Sequence, residues 1–578
     1  MSYRFFRRPS LVLGGIFVIG SLLAVACGGA EPTATATVAP TATKAPVIAT
    51  VTPTSTPIPT PTATLTPKRG GVVKASIGQD PNTFDTLAHA SGGTNTHLAR
   101  LFSNLIWNPQ GRILEPDAAE SYTITDNGLT WVFKLRNNIK WNPGTPAGPR
   151  DGTLMTAADA KYSLEKMMGK AGSAAGGASA RCGWIKDFVD TARPDNGVEV
   201  VDGLTVKVHL KQPFGSLAGV LSIGFCGLIP EGTTAAQAKQ RPFGSGPFVL
   251  SSFERGARWV YARNPDYFKP GLPYLDEIQL LVITSTDATQ AAFLTGRVDV
   301  SSGLPTKDNL SKYQEMIAQG KTRTLPYDSQ CRPSGVFMNA TRPPFNDINL
   351  RKAVNLALDR KAYAQVVFNG NATPHLFLDT GGFGRSVDEI SKLPGYRQPH
   401  AADVEEAQRL VKAAYPNGLD IKIPTENSAT YTLQGEYVAN ELNAIGIRGT
   451  LDMGDSTRTD AVMASLDFAL FAYYFCQSTG VPEELFGNFF VTKAPRNWFA
   501  YTNPKLDAAY LDMAATSDPA QQKKKAQAME DMLLEDMIIA PLPVQLGNRH
   551  AWSYVHDLPI TISQYNWSKD ERLWRDPS

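Results

Sequence analysis

Cys27 is the residue near the start of the chain whose position could carry chemistry. It closes the run Leu22-Leu23-Ala24-Val25-Ala26-Cys27, after a basic start (Arg4, Arg7, Arg8) and an apolar stretch over residues 11–26. Charge, apolar run, small residues and cleavage point is the order of an export signal. A cysteine at the cut is the place where an exported lipoprotein takes up its lipid on the thiol. Ala24 stands where a lipobox usually carries leucine, which sits one place earlier at Leu23. An ordinary cleaved signal or an uncleaved anchor is the alternative, but the run falls short of the ~20 residues of a helical span. Lipidated at Cys27, the chain would lie outside the cell membrane, or in a periplasm, tethered by acyl chains.

Four cysteines remain: Cys182, Cys226, Cys331 and Cys476. An even number in an exported chain favours disulfides, with three possible connectivities. No CxxC spacing points to zinc, and the seven histidines are scattered without metal spacing. No metal and no cofactor are expected. There is no P-loop, HExxH or strand-linked GxGxxG, and Gly244-Ser245-Gly246 is not the Gly-x-Ser-x-Gly of a nucleophile elbow. No catalytic residue is assigned. Lysine plus arginine (56) nearly balances aspartate plus glutamate (54), which gives no reason to expect nucleic acid.

The elements that must position any site begin after a linker. Residues 28–67 are rich in Thr, Pro, Ala and Val and cannot bury enough apolar surface to fold. As polyproline II, residues 31–67 would span up to ~100 Å. Val72–Ile77 reads as a first strand. Leu129, Trp131, Phe133 and Leu135 alternate with Thr130, Val132 and Lys134, a half-buried strand after the turn Asp126-Asn127-Gly128. Residues 198–201 and 204–210 flank Asp202-Gly203, a hairpin signal with His209 on its solvated face. Thr156 with Asp159 opens a helix as a capping-box variant. Leu350, Ala353, Val354, Ala357 and Leu358 recur at helical spacing behind a cap at Asn346 or Asp347, and residues 401–414 and 520–537 read as helices. Lys523, Lys524 and Lys525 form a solvated face of the last. Interleaved strands and helices over about 500 residues make an α/β protein of several lobes.

In this order the chain resembles the family 5 extracellular solute-binding proteins of ABC importers, the peptide/opine/nickel-binding group. The resemblance rests on Gly70-Gly71 with residues 78–85 (GQDPNTFD), then 101–105 (LFSNL), 114–121 (LEPDAAES) and 128–136 (GLTWVFKLR). It continues through 244–248 (GSGPF), 263–268 (RNPDYF), 343–347 (PPFND), 351–360 (RKAVNLALDR) and Tyr501-Thr502-Asn503-Pro504 with Asp507. It implies a two-lobed periplasmic-binding-protein-like fold with an extra subdomain and crossing strands between the lobes. The first lobe would use 68–109, 229–330 and 546–578, the subdomain 110–228 and the second lobe 331–545. The implied function is capture of a small-molecule or peptide solute between the lobes and its delivery to an ABC permease, by a monomer. A ligand-sensing receptor of the same fold is the alternative, and an extracellular hydrolase a more distant one. The resemblance further implies a bridge joining Cys331 to Cys476, which leaves Cys182 with Cys226.

In peptide-binding members a second-lobe segment carries an aspartate for the peptide ammonium. Here the similar segment runs Tyr473 to Pro482, and the aspartate's place falls on Ser478. A neutral Ser478 cannot supply a charge-assisted bond, so simple peptides with free amino termini should bind weakly unless Glu483 substitutes. Tyr474, Phe475, Cys476, Gln477 and Ser478 are the expected ligand residues of that segment, joined by Thr94 and Asn95 from the first lobe, Trp498, and Gln545 near the last crossing. Arg332 could meet an anionic ligand or, as the preferred reading, a surface acid.

Overall fold

Val72–Ile77 forms the expected strand and lies within the largest sheet. The computed structural model describes residues 66–81, 83–87, 92–109, 114–143, 150–170, 179, 181–328, 331–380, 382–477, 479–494, 496–516, 518–559 and 568–577. The sheet order is Thr322–Asp328, Val544–Trp552, Val300–Ser302, Val72–Ile77, Glu277–Val282, Arg258–Arg263 and Phe248–Glu254. Val72–Ile77 runs parallel to both of its neighbours, while the other pairs are antiparallel. A second, antiparallel sheet joins Leu470–Tyr474, Ser334–Met338 and Ile539–Pro541. Leu419–Glu426 pairs in parallel with Ile447–Gly454.

The chain passes between these sheets twice, from Asp328 to Ser334 and from Pro541 to Val544. The second passage is held at both ends. Val544 and Gln545 pair with Thr373 and Ala372. From Leu546 to Trp552 the same strand pairs with Thr322–Asp328. Lodged between Thr322–Asp328 and Val300–Ser302, this strand is interior, and its later residues Asn548 to Ala551 are all buried.

A four-stranded antiparallel sheet stands apart in sequence order: Ala119–Thr125, Thr130–Leu135, Thr205–His209 and Val198–Asp202. Trp131, Phe133 and Leu135 are buried and Lys134 is exposed, as alternation requires. Asp202 stays in its strand opposite Thr205, because its carboxylate accepts the Leu204 N–H at 2.8 Å; the turn is therefore Gly203-Leu204, one place later than expected. His209 is not freely solvated. It is half-buried and lies 2.8 Å from a Glu199 oxygen, with Asp195 nearby. Arg193 pairs with Asp195 (3.0 Å) and Lys207 with Glu199 (3.7 Å), so both acids already have cationic partners.

The helices start where side chains can take their orphan N–H groups. Thr156 and Asp159 form a capping box before Ala157–Met167. Asp347 caps Ile348–Ala357 by accepting from Asn349, and Asp518 caps Pro519–Asp536 by accepting from Gln521. Gly244 and Gly246 owe their identity to close approach and not to unusual backbone angles. A β-carbon at Gly244 would lie 1.9 Å from the Leu101 carbonyl oxygen, and at Gly246 2.5 Å from that of Arg100.

Two disulfides join distant segments, Cys182 to Cys226 and Cys331 to Cys476. The second closes a separation of 145 residues. In the chain-entropy account that restricts the unfolded chain by ~5 kcal/mol.

Lys569 and Glu571 join a buried ionic group. Asp117 and Lys569 are fully buried and ion-paired with each other. Lys269 reaches both Asp117 (3.0 Å) and Glu571 (3.0 Å), Tyr267 donates to Glu571, and the Asn104 N–H donates to Asp117 at 2.8 Å. Burial alone would raise the Asp117 pKa, but the two ammonium groups overcome it and hold the carboxyl below its ordinary value.

Candidate functional site

Where the two passages run side by side they enclose a cavity of about 160 Å³. Its walls come from both crossings and from each sheet: Tyr327 just before the first passage with Cys331 and Ser334 from it, Gln545 and Asn548 from the strand that follows the second, with Tyr474 and Phe368 closing it. Gly547 makes room for one wall, because a β-carbon there would stand 2.2 Å from the Tyr327 ring. The cavity is held by backbone and amide bonds. Asn371 donates to the Leu546 carbonyl (2.7 Å) and accepts its N–H on its own carbonyl (3.0 Å). The Gly303 N–H donates to the Asn548 carbonyl (3.0 Å), and His550 Nε2 donates to the Gly303 carbonyl (2.8 Å) while Nδ1 accepts from Thr324 (2.8 Å). Burial lowers the His550 pKa, in keeping with that neutral ring.

None of the described residues lining the cavity carries a formal charge. Three aromatic rings, two amides and a hydroxyl can pack against a planar or apolar group and exchange neutral hydrogen bonds. Behind Tyr474 the rings continue. Tyr431 stacks on Tyr473 at 4.1 Å between centroids and on Tyr474 at 4.8 Å. Tyr473 donates to Glu426 (2.9 Å) and Tyr431 to the Tyr474 carbonyl (3.4 Å). Burial first, then the neighbouring tyrosines, pushes the Tyr431 hydroxyl far above its ordinary pKa. The stack therefore sets Tyr474 as a fixed wall.

Of the residues expected at the ligand, Tyr474, Cys476 and Gln545 meet here, Cys476 through its bond to the lining Cys331. Gln477 is buried beside them and donates to the Arg332 carbonyl at 3.2 Å. Phe475 and Trp498 pack together at 4.6 Å in an aromatic cluster with Phe337 and Phe489. Neither lines the cavity. Arg332 is fully buried, which overturns the surface reading for it. Thr94 and Asn95 are fully buried on the short helix Gly92–Leu98, with Asn95 against Gly224, where a β-carbon would stand 2.8 Å from the Asn95 amide. Ser478 lies outside the described residues, as does Cys27. Glu483 is turned away from the cavity: it accepts from Ser216 (2.7 Å) and Gln522 (2.8 Å). Tyr327, Ser334, Phe368 and Asn548 were missed by sequence reasoning. Asn548 had no signal, since a position three along the strand from Gln545 falls on the opposite face by strand alternation.

Residues 114–497 match the family described as bacterial extracellular solute-binding proteins, family 5 (middle). The chain belongs to this family. Curated relatives agree with the assignment: the glutathione-binding protein GsiB of Escherichia coli O6:K15:H31 is 25% identical over 445 residues, 74% of this chain and 80% of the relative. GsiB of Escherichia coli O157:H7 is 26% identical over 446 residues, with the same coverage of each chain. Among solved structures, the periplasmic binding protein DppA of Helicobacter pylori in complex with peptide STSA superposes with a TM-score of 0.71 at 18% identity. It covers 88% of this chain and 99% of its own. AgaA of A. tumefacien R10, in complex with agropinic acid, gives 0.70 at 22% identity with the same coverage. As a family 5 solute-binding protein the chain has the two-lobed α/β fold of periplasmic binding proteins, and these relatives are binding proteins.

Proposed function

We propose that this protein is the membrane-tethered receptor of an ABC importer and that it binds its solute at the crossing-strand cavity. The observation that carries the reading is the cavity's uncharged, aromatic and amide lining, drawn from both passages between the sheets. Lobe closure is a hinge motion, and a ligand touching both passages favours the closed form by its differential affinity. The lobes divide as 68–109, 229–330 and 546–578 against 331–545, with 110–228 as the subdomain. The change of pairing partner between Gln545 and Leu546 supports that boundary. GsiB binds glutathione and DppA a peptide by their names; here the group held in the cavity is a neutral planar or apolar one. The protein carries out no reaction on its solute. The test is to identify the copurifying solute by mass spectrometry and titrate it back by calorimetry. Tyr474→Ala should weaken binding at least tenfold, about 1.4 kcal/mol, and Gln545→Ala by a smaller factor. Unchanged affinity in both variants would place the ligand elsewhere.

We further propose that Cys27 carries the lipid, with residues 28–67 as the spacer. Wild type should fractionate with membranes and its N-terminal peptide should show an acyl mass, while Cys27→Ala should do neither. Equal solubility of the two without an acyl mass would refute the anchor.

A further inference from the structure

A second concavity, of about 390 Å³, lies between residues 179–187 and residues 484–496, and it shares no lining residue with the crossing-strand cavity. Four of its lining side chains are cationic (Arg181, Lys186, Lys493, Arg496) and two are acidic (Asp187, Glu484). Glu484 already serves the local chain: one oxygen accepts the Thr479 N–H (2.8 Å) and hydroxyl (2.6 Å). Arg181 is buried, donates to the Cys476 carbonyl at 3.5 Å and lies over the Phe225 ring, and Arg496 lies over Phe489, so both guanidinium groups are positioned. Lys186 and Lys493 are exposed, and neither forms an ion pair among the described residues. Lys211 adds further charge behind, with its ammonium 3.3 Å from the Lys186 carbonyl. Like charges gathered in a concave surface repel one another and focus a positive potential into it. Forked guanidinium and mobile ammonium groups together suit the oxygens of a carboxylate or phosphate.

We propose that this concavity binds a small oxyanion, held between Arg181 and Lys186 on one wall and Lys493 and Arg496 on the other. The anion bridges segments more than three hundred residues apart in the chain, so its binding stabilises the folded protein.

The probes are inorganic phosphate and succinate, each compared with chloride at equal ionic strength on the full chain, read as the thermal unfolding midpoint. At tens of millimolar one or both should raise the midpoint of the wild type by about 2 °C. The double variant Lys186→Gln/Lys493→Gln should lose the rise, while Lys412→Gln/Lys422→Gln, which removes the same charge from exposed sites outside the concavity, should keep it. A rise with phosphate alone identifies a phosphate site, and a rise with succinate extends it to carboxylates. No rise with either anion in the wild type overturns the proposal. So does a rise that persists in the first double variant, or one that both double variants lose alike.

Discussion

Asp117→Asn should lower the unfolding free energy by about 3–5 kcal/mol, because it leaves two lysine ammonium groups without their buried carboxylate. Lys569 is fully buried and its ion-pair partner is Asp117; Lys269 would keep Glu571. Lys569→Met should cost less than Asp117→Asn, because Asp117 keeps the Lys269 ammonium at 3.0 Å and the Asn104 N–H at 2.8 Å. The double variant should cost clearly less than the sum, since it leaves neither charge stranded in that pair. Arg572→Ala, which removes an exposed partner of Glu115, supplies the contrast and should stay within about 1 kcal/mol of wild type. Urea unfolding of the four variants measures these differences. An Asp117→Asn midpoint equal to that of Arg572→Ala would show that the buried pair adds nothing.

The contribution of Glu483 to stability should also fall as pH rises from about 4.5 to about 7. Desolvation raises its pKa from 4.5 to about 7, against the hydrogen bonds from Ser216 and Gln522. A carboxyl that holds its proton more tightly when folded stabilises the folded form below its unfolded pKa. That stabilisation is lost as pH climbs through the folded value. The shift corresponds to at most ~3 kcal/mol. The groups facing Glu483 are the Ser216 hydroxyl, the Gln522 amide and Tyr510, whose hydroxyl is raised first by its own burial and then by the Glu483 charge. Glu483→Gln keeps an uncharged acceptor for Ser216. It should match wild type near pH 5, exceed it by up to ~3 kcal/mol near pH 8, and diverge from it steadily between. Parallel pH profiles for the two proteins would remove Glu483 from the account.

The local elements were legible because their causes are local. Thr156 and Asp159 are three residues apart, Trp131 and Phe133 alternate within one strand, and Asp347 caps the helix it precedes. The cysteine bridges were reached through family resemblance, since four cysteines alone leave the pairing open. The cavity was legible in part. Tyr474 and Gln545 lie in segments that the resemblance singles out, but Tyr327 lines the cavity through the strand register that sets it opposite Gly547. Register between strands so far apart leaves no periodic trace in sequence. The same distance hides Asp117, Lys269, Lys569 and Glu571, each of which reads alone as an ordinary surface charge. Phe475 and Trp498 were read as ligand residues, and the aromatic cluster with Phe337 and Phe489 is where the structure places them.

The strand Val544–Trp552 also sets a timetable. It is an interior member of the largest sheet, inserted between strands that precede it by more than two hundred residues, while Val72–Ile77 waits near the opposite end of the chain. As a ribosome releases the chain from its N-terminus, Val300–Ser302 and Thr322–Asp328 have nothing between them until Val544–Trp552 emerges, more than two hundred residues later. Non-local pairing of this kind is slow to form. That sheet therefore stays open in the nascent chain until Val544–Trp552 has been made.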